Sequence, residues 1–314
     1  MSAASLGHEE RTRRREGVFT LLAVQLFFGL FPLFGKVAFA SFSPFEVGAA
    51  RIGVGALALG LLAFAKYGRA AVPQRADVGR LALCALLGIV LNMVFFLEGL
   101  RRSTAINTAL LLPLIPVFTA VVAIVLRAER FEPVRALGMA IAFAGAGIVL
   151  FQKGPDLGRS YLTGNLLVVT NELFYAIYLV IARPLLKRYP PLVVTAWVFL
   201  LSVWAIPFLL LGDDGIPRGA ATTTTWTSLA YIVVFPTIFS YLLNVYALAR
   251  VSASTAAAFI FIQPMITVAG GVLVLDETMP HYVAVAAALT FGGVWLVARR
   301  RTPKVAVVVD ETAR

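Results

Sequence analysis

The feature that most limits what this 314-residue chain can be is that it is written twice. Residues 96–150 recur without a gap 148 positions later, as 244–298, and the 55 aligned pairs contain twelve identities. Alanine and leucine match by chance in such a chain, so the informative pairs are Pro116/Pro264, Thr119/Thr267, Glu129/Glu277, Arg102/Arg250 and Gly145/Gly293. The stretch upstream repeats as well, now at an offset of 147, through Gly17/Gly164, Leu26/Leu173, Phe27/Phe174, Pro44/Pro191 and Gly68/Gly215. A duplicated unit has to fold twice and pack against its own copy.

Composition puts both copies in a bilayer. With 60% apolar residues, 14% charged and a mean hydropathy of +0.88, the chain carries more apolar surface than a soluble core of this length could hide. Ten apolar segments fall at 18–40, 44–65, 80–99, 104–126, 134–151, 163–183, 191–211, 227–248, 254–275 and 281–298. Each is about long enough to cross a hydrocarbon core of about 30 Å at roughly 1.5 Å per residue. Ala38-Phe39-Ala40 imitates a signal-peptidase site, but the preceding apolar run is too long and has a counterpart in the second copy, so it reads as an uncleaved helix.

Five helices per unit is an odd number, so the second copy enters the membrane from the opposite side. The expected fold is an all-α integral membrane protein of ten transmembrane helices in two inverted five-helix repeats. Residues 17–151 and 163–299 form the repeats, 152–162 the loop between them, and 1–16 and 300–314 are polar tails expected to be flexible and cytoplasmic. The basic residues give an independent check, because Lys and Arg favour cytoplasmic loops. With the N-terminus inside, twenty Lys/Arg lie on cytoplasmic segments and five outside, with Lys36 and Arg51 within spans. Both termini are then cytoplasmic.

The net charge of +11 does not point to nucleic acid, since the basic residues sit in short runs between apolar segments and form no continuous basic face. Cys84 is the only cysteine, and His8 and His281 are the only histidines, which excludes an intramolecular disulfide and suggests no metal centre. The glycine pairs carry no Walker lysine motif, so ATP-driven pumping by this chain has no support, and no cofactor is called for.

Glu172 is the sharpest candidate for function. It falls mid-span in the sixth segment, where an ionised carboxylate costs several kcal/mol unless paired or hydrated. Asn171, Tyr175 and Tyr178 share one helical face beside it, and its counterpart in the first copy is the neutral Gln25. Glu172 is expected to hold a substrate amine or a coupling proton, against the plainer reading of a structural hydrogen bond. Asn92, Tyr241 and Asn244 are polar groups on corresponding helices and serve either as cavity lining or as interhelical glue worth about 0.6–2 kcal/mol. Gln263 precedes Pro264, whose missing donor frees a carbonyl one turn earlier, and Pro116 and Pro264 are read as kinks or hinges. Lys36, Arg51 and Glu98 fall toward the outer half of the membrane and could form an ion-pair gate or a static pair. Glu129 and Glu277, at span ends, are read as helix caps or loop-fixing groups.

Two five-helix units, each with a proline in the fourth helix, a glutamate just after it and a glycine-rich fifth helix, together with Arg51 in helix two, resemble the EamA branch of the drug/metabolite transporter superfamily. The second copy departs from the pattern with Val198 where Arg51 would fall. The resemblance covers residues 17–299 and implies a ten-helix inner-membrane carrier of small metabolites working by alternating access. Its expected partners are a small-molecule substrate, a coupling proton and the lipid bilayer, with no nucleic acid; a monomer suffices. Inverted repeats allow inward- and outward-open forms to interconvert by exchanging the conformations of the halves, which favours transport over catalysis. A central cavity lined by spans one, three, four, six, eight and nine is expected, and the first substrate choice is amino acids or similar compounds for export. The rivals are a phosphorylated-sugar or nucleotide-sugar antiporter, which should carry cavity cations, and a lipid-modifying membrane enzyme, for which no catalytic cluster is visible.

Overall fold

The computed structural model describes residues 3–126, 132–151, 160–211, 218–248, 250, 259, 262–279 and 281–298, and every regular element among them is a helix. The first helix, α1, runs Ala3–Ala38. The N-terminal stretch expected to be a flexible tail is thus helical from Ala3. It is rich in Ala, Glu and Arg and free of proline, so a helix already nucleated in the apolar span propagates into it at little cost.

Helix α2 (Pro44–Tyr67) has a sharply defined start. Ser43 Oγ accepts from the Glu46 amide at 3.0 Å, the Glu46 carboxylate accepts from the Ser43 amide at 2.6 Å, and Pro44 fills the first helical position. Helices α3 (Arg75–Ala85) and α4 (Asn92–Arg102) are joined through a π-helical stretch, Leu86–Leu91, into one rod, Arg75–Arg102. The next span is α5 (Ala105–Leu111) and α6 (Leu114–Val125), interrupted at Leu112-Pro113. Helix α7 is Pro133–Phe151 and closes the first half.

The second half opens with α8 (Ser160–Arg188). The seventh apolar segment, expected to be one helix, is two: α9 (Pro191–Leu200) and α10 (Ala205–Leu211) meet at a bend of 49°. Helices α11 (Thr223–Val234) and α12 (Ser240–Leu248) flank a second π-helical stretch, Phe235–Phe239. Helices α13 (Ile262–Val274) and α14 (Tyr282–Ala298) follow.

Among the described residues six helical rods are long and apolar enough to cross a membrane, the bent α9–α10 pair makes a seventh, and three shorter apolar helices lie at 136–151, 262–274 and 282–297. This is a multi-pass membrane protein.

The helices pair in a pattern that maps onto itself when the halves are exchanged. α1 packs on α12 and α13, and its counterpart α8 packs on α4 and α6; α2 pairs with α9, and α7 with α14. The α7–α14 contact is the tightest. A Cβ on Gly293 would stand 2.5 Å from the Gly138 carbonyl, and a Cβ on Gly145 would stand 2.8 Å from the Ala286 carbonyl. Since Gly138/Ala286 and Gly145/Gly293 are repeat partners, these are two copies of one backbone-to-backbone contact, of the kind small residues permit in lipid.

Candidate functional site

Between the halves lies a cavity of about 550 Å³. It is walled by more of the chain than expected. Besides spans one, three, four, six, eight and nine, side chains from α2 (Arg51), α9 (Phe199) and α14 (Val294, Val297) reach it. The interruption of the fourth span opens onto it, with Leu112, Pro113, Ile115 and Pro116 all in its wall. The break falls at Pro113, three residues before the predicted hinge. Pro116 sits in the first turn of α6, where its missing N–H is one of the donors a helix start leaves unused anyway. Pro264 lies within α13 and is buried.

Most of the polar residues predicted on sequence grounds meet here. Asn92, Asn171, Glu172, Tyr175, Tyr241 and Gln263 line the cavity. Three of them form a relay across the α4–α8 contact. Asn92 Nδ2 donates to Asn171 Oδ1 at 2.5 Å, and Asn171 Nδ2 donates to Glu172 Oε1 at 2.8 Å. Glu172 is 1% exposed, and its second oxygen, Oε2, accepts no hydrogen bond from the described residues. A buried carboxylate oxygen without a donor is costly in this setting and marks a position where a ligand group or a proton is expected. On the opposite wall Gln263 Nε2 donates to Gln25 Oε1 at 2.6 Å, so Gln25, the counterpart of Glu172, stands behind the lining as a support. Asn244 does not line the cavity.

The three charged residues grouped as a gate are not brought together. Lys36 donates to the carbonyls of Arg101 and Ser103 in the α4–α5 turn. Glu98 pairs within its own helix, at 2.9 Å from Arg101 and 2.8 Å from Arg102. Arg51 lies apart from both, in the cavity wall, with Nε donating to Thr237 Oγ1 at 2.9 Å and its guanidinium 4.5 Å from the Phe31 ring centre. A position in the first third of α2 could not tell which of these environments Arg51 would meet. The sequence reading missed Arg183 as a lining residue, having assigned it to the basic loop signal. The repeat offset held the clue, because Arg183 is the counterpart of Lys36 and so belongs to a span.

The α4–α5 turn is fixed from the other half as well. Glu277 accepts from the amides of Ala105 at 2.7 Å and Ile106 at 2.9 Å, while Thr104 Oγ1 takes the Asn107 amide. The helix-capping role read for Glu277 is thus seen directly, and Glu129 lies outside the described residues.

A duplicated bundle of membrane-crossing helices around a largely apolar cavity with a few convergent polar groups is the architecture of a membrane transporter. The profile of the EamA-like transporter family matches residues 15–151 and 162–299, and the chain belongs to that family. It is 26% identical over 267 residues to an uncharacterized transporter of Archaeoglobus fulgidus, covering 84% of this chain and 91% of that one. It is 27% identical over 275 residues to a probable terminal-alkyne amino-acid exporter of Streptantibioticus cattleyicolor, covering 83% and 89%. A crystal structure with 18% sequence identity superposes with a TM-score of 0.61 over 90% of this chain and 96% of that one, which supports the fold.

Proposed function

We propose that the protein is a secondary transporter of the cytoplasmic membrane that exports amino acids or closely related compounds by alternating access. In this reading ten spans form two inverted five-helix units, 17–151 and 163–299, and both termini face the cytoplasm. The observation that carries the substrate class is the unpaired Glu172 Oε2 in the cavity wall. A carboxylate presented this way suits an ammonium group, or a proton that moves with the cycle. The exporter of Streptantibioticus supports the amino-acid choice. The self-mapping helix contacts support the inverted arrangement, because a molecule built of two like halves can reach its second state by exchanging their shapes.

The test is transport by purified protein in proteoliposomes, measured as counterflow of labelled amino acids at several pH values, with wild type and Glu172→Gln. The expected result is amino-acid flux in the wild type, and in the variant either a loss of flux of at least tenfold or a loss of its pH dependence. Unchanged flux with unchanged pH dependence would sink the assignment. A second reading, a phosphorylated-sugar or nucleotide-sugar antiporter, draws on Arg51 and Arg183 both lining the cavity. Counterflow of sugar phosphates but not amino acids would establish it.

A further inference from the structure

We propose that Arg51 is the carboxylate-binding group of the transport site, so that the cavity takes zwitterions by both ends and rejects simple amines and amino-acid amides. The inference deepens the amino-acid reading above and rests on it for the second pole of the ligand.

Arg51 is 8% exposed and sits on α2, in the wall of the cavity. Its Nε is committed to Thr237 Oγ1, whose own hydroxyl hydrogen goes to the Ile232 carbonyl at 3.1 Å. That second bond leaves the threonine oxygen with only lone pairs toward Arg51, which fixes the plane of the guanidinium. The Phe31 ring covers one side of it. The two terminal nitrogens, Nη1 and Nη2, donate to nothing among the described residues, and no carboxylate there pairs with the group. With Nε committed, the four remaining N–H donors are available to a group in the cavity, and a planar fork held in place by its Nε matches a carboxylate in bidentate fashion.

The same cavity holds the complementary defect. Glu172 Oε2 has no donor, and Glu172 and Arg51 do not neutralise each other, because each is tethered elsewhere, one to Asn171 and the other to Thr237 and Phe31. One unpaired cation and one unpaired carboxylate oxygen on the wall of a single 550 Å³ space form a template for a ligand with one carboxylate and one ammonium. The duplication does not supply this arrangement by symmetry. Arg51 falls opposite Val198 and Glu172 opposite Gln25, so neither group has a twin across the repeat; Arg183, the other cation in the lining, sits on α8. A ligand would therefore bind in one orientation, its carboxylate toward α2 and its ammonium toward α8.

The experiment titrates thermal stabilisation of detergent-purified full-length protein with matched probes: free amino acids of small, aliphatic and aromatic type, their C-terminal amides, and their N-acetyl derivatives. Wild type should prefer each bound free acid over its amide by on the order of 10–100-fold, the range expected for a charge-assisted pair. In Arg51→Gln the acid-over-amide preference should fall to within about threefold while the preference for the free amine over the N-acetyl form persists; Glu172→Gln should do the reverse. Arg51→Lys, which keeps the charge but loses the fork, should retain an intermediate preference and guards against a Gln variant that fails to fold. An acid-over-amide preference unchanged in both Arg51 variants overturns the proposal. An Arg51-dependent preference for acids with no discrimination between free and N-acetyl amines would leave the carboxylate site standing and remove the amino-acid reading of Glu172. Absence of any stabilisation of the wild type by all three probe classes overturns both.

Discussion

Glu277 offers the sharpest energetic test of how the halves are joined. A helix start leaves its first amides without intrahelical partners, and at α5 the first three helical ones are accounted for: Ala105 and Ile106 donate to the Glu277 carboxylate and Asn107 to Thr104 Oγ1, before regular bonding begins with Thr108 donating to the Thr104 carbonyl. The carboxylate is delivered by a turn after α13, in which Asp276 adopts a φ of 51° and the Glu277 amide donates to the Gly271 carbonyl at 2.9 Å. Ala105 and Ile106 are buried, so water cannot easily replace the lost acceptor in Glu277→Ala. Two bonds to a charged acceptor at about 1.5–3 kcal/mol each give an upper bound near 6 kcal/mol. Discounting for the partly exposed carboxylate and for partial rearrangement leaves about 2–4 kcal/mol. Glu277→Gln keeps one acceptor oxygen but turns an NH₂ toward the other amide, so it should lose about half of that. Reversible unfolding in mixed detergent micelles, followed by tryptophan fluorescence, reads both values. Amide hydrogen exchange at Ala105 and Ile106 should accelerate in step with them. A Glu277→Ala variant within about 0.5 kcal/mol of wild type, with unchanged exchange at those two amides, would refute the capping account.

Two further variants probe packing and motion. Gly293→Ala places a methyl against the Gly138 carbonyl and the Ala142 backbone, so α7 and α14 must separate; the expected destabilisation is about 1–3 kcal/mol in the same unfolding assay, whereas Gly292→Ala, with open space at its Cβ, should be near neutral. Pro113→Ala restores an amide donor at the break in the fourth span, whereas Pro116→Ala restores one that the first turn of α6 does not need. Turnover in the counterflow assay should therefore fall more for Pro113→Ala than for Pro116→Ala, with thermal stability unchanged or raised, and the opposite order would return the hinge to Pro116.

The sequence makes the duplication and the succession of apolar helices readable because each rests on signals that sum over many residues. Glu172 stood out for a related reason: a carboxylate in the middle of a membrane-crossing helix has few explanations. What the sequence hides is local. A hydropathy window averages over the 49° bend between α9 and α10 and over the two-residue interruption before α6, since both leave the composition apolar. It also cannot say which way a single charge turns. Lys36, Arg51 and Glu98 lie at similar depth, yet one serves backbone carbonyls, one a threonine and a phenyl ring, and one its own helix. Those outcomes depend on side-chain direction and on neighbours from distant helices.

The two π-helical stretches bear on the history of the chain. Leu86–Leu91 and Phe235–Phe239 end at positions that differ by the repeat offset of 148, and each carries a cavity or Arg51 contact, Gly88 and Ile89 in one and Thr237 in the other. A π turn holds one residue more than the α turn it replaces, so it arises by insertion into a helix, and a later deletion of any one neighbouring residue erases it. Its presence at the same place in both copies dates the insertion to the single ancestral unit, before the gene was doubled. The charges are not shared in this way: Arg51 has Val198 for a counterpart and Glu172 has Gln25. The two halves therefore share the irregular backbone that borders the site, while the charges that give it a direction are each confined to one half, Arg51 to the first and Glu172 to the second.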